Sequence, residues 1–205
     1  VKPEVRLRVT LERLGPTFIK LAQILSIRPD LIPKEYCKEL EKLQDDVPEF
    51  SYEEVMEIIE KEFGRGINHL FTHFEKKPIK SASISQVHMA VLHSGERVAV
   101  KVQRPNVKMM METDIEIMYY FAKLIEEHES FHGFKPTKIV SDFKEWTEKE
   151  LDFRIEARNA KRFAQNFKGS RTVHIPKVYD ELTSEKVLTL EFIGGVELHD
   201  IADIK

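Results

Sequence analysis

Between residues 79 and 103 the hydrophobic period of the chain changes from that of a helix to that of a strand. Ile79, Ile84, Val87 and Val91, then Val98, Val100 and Val102, form alternating, β-branched runs, and His93-Ser-Gly-Glu96 supplies the turn between two of them. This predicts a hairpin with a third strand or loop in front of it, set among residues whose apolar positions recur at helical spacing. The expected architecture is therefore α+β, a short antiparallel sheet beside long helices.

The first third reads as helical. After Gly15-Pro16, the segment Thr17 to Ser26 is apolar nearly all round, with Lys20 and Gln23 as polar exceptions three residues apart on one face. A lysine in such surroundings needs a carboxylate or phosphate partner to stay charged. Arg28 to Pro33 breaks this helix, and an amphipathic one follows through Tyr36, Leu40 and Leu43. Ser51 and Glu54 form a capping box ahead of Val55, Ile58 and Ile59, with Gly64 as the stop. Beyond the hairpin, one helix is expected from Asn106 to about His128, its Met109, Met110, Met111, Ile115, Ile117, Met118 and Phe121 forming a broad core-packing stripe. A second is expected from Pro136 to about Lys168, and short strands over 173–178 and 187–192 precede Gly194-Gly195.

Composition narrows the function classes. With 205 residues, 41% hydrophobic and 33% charged, the chain is neither disordered nor fibrous, and it suffices for one substantial domain or two small ones. Thirty-two Lys and Arg against 35 Asp and Glu give a net charge of -3, which argues against nucleic acid as the principal partner. The longest apolar run, Ile117 to Ala122, falls far short of the ~20 residues of a membrane span. The lone Cys37 reads as buried packing, Trp146 as helix packing, and Lys76, Lys77 and Lys80 as solvated charge. His69 and His73 have the i, i+4 spacing of a metal pair without a third ligand, so no metal site is expected. The opening Val1-Lys2-Pro3 and the helix-like Ile201 to Lys205 suggest an excerpt of a longer protein.

The strand Arg97 to Val102 places one lysine, Lys101, within a β-branched run, and Glu150, Asp152 and Glu156 follow on a later helical stretch. Protein kinases hold a strand lysine with a helix glutamate so that the ammonium reaches the α- and β-phosphates of ATP. Taken alone, Val98-Ala-Val-Lys101 is weak evidence, since outward lysines on strands are common. Three further segments add to it: Leu14 to Pro33, Ser81-Ala-Ser-Ile-Ser-Gln-Val-His88, and Glu150-Leu-Asp-Phe-Arg-Ile-Glu-Ala157. In order and spacing they strongly resemble the UbiB family of atypical, protein-kinase-like proteins linked to ubiquinone biosynthesis, and the resemblance covers nearly the whole chain.

That resemblance implies a helical extension over 1–73 carrying a Lys-x-x-Gln motif, a kinase-like small lobe over 74–195 with inserted long helices, and the start of a large lobe over 196–205. It implies ATP or ADP as ligand, with magnesium only when the large lobe is present. Lys101 would contact phosphates and Glu156 would orient it. The loop Ser81, Ala82, Ser83, Ile84, Ser85 and Gln86 would cover the nucleotide, with Ala99 in the pocket and the backbone of Glu191, Phe192 and Ile193 bordering adenine. Lys20, Gln23, Glu150 and Asp152 would form the family-specific inset, Lys20 meeting Glu150 or Asp152. Partners would belong to lipid or isoprenoid-quinone pathways, and the full-length protein would be cytoplasmic or membrane-peripheral. A catalytically silent scaffold, its helical extension binding a protein or lipid, is the competing expectation.

Two departures from the family pattern bear on nucleotide preference: Ala22 replaces the motif glycine, and the alanine-rich loop keeps only Ala82 between two serines. No catalytic-loop Asp and Asn is evident. Asp142-Phe-Lys and Asp152-Phe-Arg lie in helical sequence, and His199-Asp200 lacks the rest of such a loop.

Overall fold

The computed structural model describes residues 2–43, 48–127 and 135–195. Three helices come first: α1 (Pro3–Leu14), α2 (Pro16–Ser26) and α3 (Lys34–Leu40). Gly15 separates α1 from α2 at φ 102°, a left-handed conformation that a side chain would strain, and Pro16 then opens α2 at its first turn. Leu11, Ala22, Leu40 and Leu43 pack together as the core of this group. Ala22 is fully buried, and Cys37 is buried beside it in α3.

α4 (Tyr52–Phe63) carries the expected capping box: Glu54 N–H donates to Ser51 Oγ at 3.3 Å, and Ser51 N–H donates to the Glu54 carboxylate at 2.9 Å. α5 (Ile67–Leu70) leads into β1 (Phe71–Phe74). β2 (Lys80–Ser81), β3 (Ser85–Leu92), β4 (Arg97–Gln103) and β5 (Val187–Glu191) complete an antiparallel sheet of order β1-β3-β4-β5, with β2 paired to β3. The β3–β4 hairpin turns at Gly95 as the sequence predicts, with Val87 opposite Lys101 and His88 opposite Val100. β1 starts inside the expected 1–73 extension. Phe50, Val55 and Ile59 share a core with Val98, Val100 and Val102, so α4 packs with the sheet and not with α1–α3.

Strand parity sorts chemistry to the two faces of the sheet. Even-numbered residues of β3 and β4 face α4. Odd-numbered ones, Lys101 and Gln103 among them, face α8 (Phe153–Asn166), where Phe153, Ala157, Met111 and Leu188 form a second core.

Three expectations need correction. The single helix over 136–168 is two, α7 (Pro136–Glu150) and α8, broken at Leu151-Asp152. The cause is long-range: Gln103 donates its side-chain amide to the Leu151 carbonyl at 2.7 Å, and Phe153 N–H donates to the Glu185 carbonyl at 3.0 Å. Asp152 then caps α8, accepting from Arg154 N–H at 3.0 Å. Secondly, 173–178 forms no strand; one bridge, Val178 to Leu190, is all that pairs there. Thirdly, the apolar stripe of α6 (Val107–Glu126) is only partly core: Met111 and Ile115 are buried, whereas Met109, Ile117 and Phe121 are about half exposed or more. The expected end of that helix at His128, the region 196–205 and His199-Asp200 lie outside the described residues.

On the α4 face, His88 is fully buried. Its Nδ1 lies 2.8 Å from the Glu75 carbonyl and its Nε2 3.0 Å from the Gln86 amide nitrogen, which fits a neutral ring donating through Nδ1 and accepting at Nε2. Burial pushes the imidazole below its ordinary value, against the opposing pull of the Glu75 carbonyl. The unfolded chain therefore binds the proton more readily, and this contribution to stability is present above about pH 6.5 and lost as pH falls through the depressed folded value. Thermal melts between pH 7.5 and 5.5 should fall more steeply for the wild type than for His88→Gln; equal slopes would show that the ring does not titrate against folding.

Candidate active site

β4 delivers Lys101 to the odd face of the sheet, and the break after α7 turns α8 so that Glu156, one turn in from its start, faces that lysine. Lys101 Nζ donates to Glu156 Oε2 at 2.8 Å and also sits 4.7 Å from the centre of the Phe153 ring. Both partners are partly exposed, so the pair is poised at a surface and not sealed in the core.

The pair opens on a cavity of about 400 Å³. Ala82, Ser83, Ile84 and Ser85 line it from the β2–β3 loop, Ala99 and Leu190 line the sheet side, and Lys20, Lys80, Glu150 and Glu156 bring charge. Ser83 and Ser85 are 1% and 2% exposed, and among the described residues neither hydroxyl has a hydrogen-bond partner. Two buried hydroxyls beside a paired lysine form a surface suited to an oxyanion.

The Lys20 helix reaches the same cavity. Thr17, fully buried in α2, donates its hydroxyl to Asp114 Oδ2 on α6 at 2.5 Å, which ties the two helices together. Three residues further on, Lys20 Nζ meets Glu150 Oε2 at 2.5 Å and lies 4.8 Å from the centre of the Trp146 ring. Lys20 thus chooses Glu150 of the two expected carboxylates. Asp152 is engaged instead by the Arg154 guanidinium, at 2.8 and 3.0 Å, which holds its carboxyl below the usual range. Gln23 does not line the cavity.

The lysine side chain of this pair is 13% exposed and the glutamate 29%, between the buried and the solvated limits. We expect Lys20→Ala, Glu150→Ala and the double variant to show a coupling of about 1–2 kcal/mol in thermal melts. Lys20→Ala should cost the more, because it also removes the contact with Trp146. Strictly additive losses would dissolve the pair.

Other expected residues fall elsewhere. Gln86 is not part of the cavity: parity places it on the α4 face, fully buried, where its amide accepts from Phe50 N–H at 3.1 Å and donates to the Phe50 carbonyl at 3.2 Å. Ser81 also stands off, its hydroxyl accepting from Arg104 Nη2 at 3.2 Å.

At the end of β5, two backbone amides expected to border adenine are already used. Glu191 N–H donates to the Lys177 carbonyl at 2.8 Å, and Phe192 N–H donates to the Arg97 carbonyl at 3.1 Å. By antiparallel alternation, the outward-facing groups that follow are the Glu191 carbonyl and the Ile193 amide. The Glu191 carboxylate turns away to Lys177 N–H at 3.1 Å and His174 Nε2 at 2.9 Å, contacts that lower its pKa.

Leu190, Val87 and Trp146 were not anticipated as site residues. The first two follow from strand parity once the register is known, whereas nothing local marks Trp146. Among the described residues there is no group of three His, Cys, Asp or Glu able to hold a metal ion.

The profile of the ABC1 atypical kinase-like domain matches residues 42–205. The chain is 43% identical over 195 residues to the chloroplastic protein ACTIVITY OF BC1 COMPLEX KINASE 7 of Arabidopsis thaliana, covering 95% of this chain and 28% of that protein. It is 42% identical over 201 residues to a probable protein kinase UbiB of Pseudomonas paraeruginosa, covering 98% of this chain and 38% of the relative. It thus spans about a third of the length of these relatives. Among solved structures, Rv3197 of Mycobacterium tuberculosis, determined in complex with erythromycin, superposes with a TM-score of 0.66 at 30% identity, covering 88% of this chain and 46% of the other. A profile match over most of the sequence, on a fold with a kinase-like sheet and a lysine–glutamate pair between strand and helix, shows that this chain belongs to the ABC1 atypical kinase-like domain family.

Proposed function

We propose that this chain is the nucleotide-facing small lobe of an atypical kinase or ATPase that binds ATP or ADP. The observation that carries the reading is the Lys101–Glu156 pair at 2.8 Å, opening on a cavity roofed by the loop over 82–85. The residues present fit a nucleotide. The ammonium of Lys101 and the hydroxyls of Ser83 and Ser85 are donors for phosphate oxygens, Ala99 and Leu190 offer an apolar wall, and the Glu191 carbonyl and Ile193 amide suit an adenine edge. Glu156 fixes the flexible lysine stem, and the Lys20–Glu150 pair closes one side of the cleft. Bound magnesium would neutralise the phosphate charge during transfer, held by residues of a large lobe. The substrate would belong to lipid or isoprenoid-quinone metabolism, as the UbiB resemblance implies.

The test is a nucleotide titration on this chain and on a chain extended through a large lobe. This chain alone should bind nucleotide weakly and show no measurable phosphoryl transfer, because the residues that hold magnesium supply nearly all the transition-state stabilisation. The extended chain should bind ADP or ATP saturably. No binding by the extended chain would favour the scaffold, and robust hydrolysis by this chain alone, abolished by Lys101→Ala, would misplace the chemistry.

A further inference from the structure

The loop that roofs the cavity is fastened from outside by one residue. Arg104, just past the end of β4, places Nη2 within 3.0 Å of the Pro48 carbonyl and 3.2 Å of both the Ala82 carbonyl and Ser81 Oγ. Its own N–H donates to the Ile84 carbonyl at 2.8 Å, so one residue grips the loop on both sides of Ser83. The guanidinium lies 5.3 Å from the centre of the Phe50 ring, and the Phe50 backbone is clamped at both its N–H and its carbonyl by the buried Gln86 amide. Within the loop, Ala82 N–H donates to the Ser85 carbonyl at 2.7 Å. Every fastening runs to the α4 side of the sheet, and none uses the hydroxyls of Ser83 and Ser85.

We infer that Arg104 is the positioning residue of this loop: it holds residues 82–85 in one shape so that Ser83 and Ser85 stay aimed into the cavity. The loop then receives phosphate as a preformed roof and does not close over the nucleotide as a flexible flap. A planar fork with several donors suits this task, and an ammonium does not, since it cannot reach the Pro48, Ser81 and Ala82 oxygens from the same stem. The expected consequence for ligands rests on the nucleotide reading above; the consequence for the loop itself does not.

Arg104→Lys, which keeps the charge, separates geometry from electrostatics, and Arg104→Met removes both. Hydrogen exchange of the amides over 82–85 should speed by about tenfold or more in both variants, while the amides of β3 and β4 exchange as in the wild type. On the extended chain, ADP affinity should fall about five- to tenfold in Arg104→Lys, with adenosine affinity unchanged, because the loop faces the phosphate end. Unchanged exchange at 82–85, or faster exchange throughout the sheet, would overturn the positioning role. An equal loss for adenosine and ADP would overturn its direction toward phosphate. If the wild type binds neither ligand, the nucleotide reading fails and the exchange result still decides whether Arg104 holds the loop.

Discussion

Phe153→Ala should lower the stability of this chain by about 3–5 kcal/mol, which for about 200 residues means a fall of roughly 10 °C or more in melting temperature. The side chain is fully buried among Ile84, Val107, Met111, Leu151, Ala157 and Leu188, where the sheet, α6 and the break between α7 and α8 meet. No flexible neighbour is placed to fill the void. The ring is also the surface on which the Lys101 ammonium rests, 4.7 Å from its centre. Truncation should therefore loosen the Lys101–Glu156 pair as well as the core, and Phe153→Leu should recover most of the stability, at a cost below about 1.5 kcal/mol. Urea and thermal unfolding of the two variants provide the check; a loss under 1 kcal/mol for the alanine variant would mean that this second core does not hold the helix to the sheet.

Much of this arrangement was legible because its causes are local. Alternating valines fixed the β3–β4 hairpin and the face on which Lys101 lies, and Ser51 with Glu54 fixed the start of α4. The break at Leu151-Asp152 was not legible. Glu150-Leu-Asp-Phe contains no glycine or proline, and the groups that end α7 and start α8 come from Gln103 and Glu185, 48 and 32 residues away along the chain. The region 173–178 shows the reverse error, in which β-branched residues suggested a strand that finds a single bridging partner. Gln86 was misassigned by motif where parity was decisive: an even position on β3 faces α4, whatever the loop next to it does. Arg104 was hidden for another reason, since its partners Pro48, Ser81 and Ala82 lie 22 to 56 residues away and nothing in Gln103-Arg-Pro105 announces them.

The second large effect concerns Lys101 itself. Its side chain is 26% exposed and that of Glu156 47%, so removing either should change stability by less than about 1 kcal/mol. Function should respond far more, because a charge-assisted contact to phosphate would be lost in a partly enclosed site. On a chain extended through a large lobe, Lys101→Met should weaken ADP binding by about 10- to 100-fold and abolish detectable phosphoryl transfer. Glu156→Gln should weaken binding less, since the lysine would remain but lose its tether.

The measurement that bears most directly on the account is therefore an ADP titration of four such chains: wild type, Lys101→Met, Glu156→Gln and the double variant, each checked by its melting temperature. The account predicts unchanged melts, a loss in each single variant, and a double variant no weaker than Lys101→Met alone, because Glu156 acts only through that lysine. Wild-type affinity in Lys101→Met, or a further independent loss in the double variant, would contradict it.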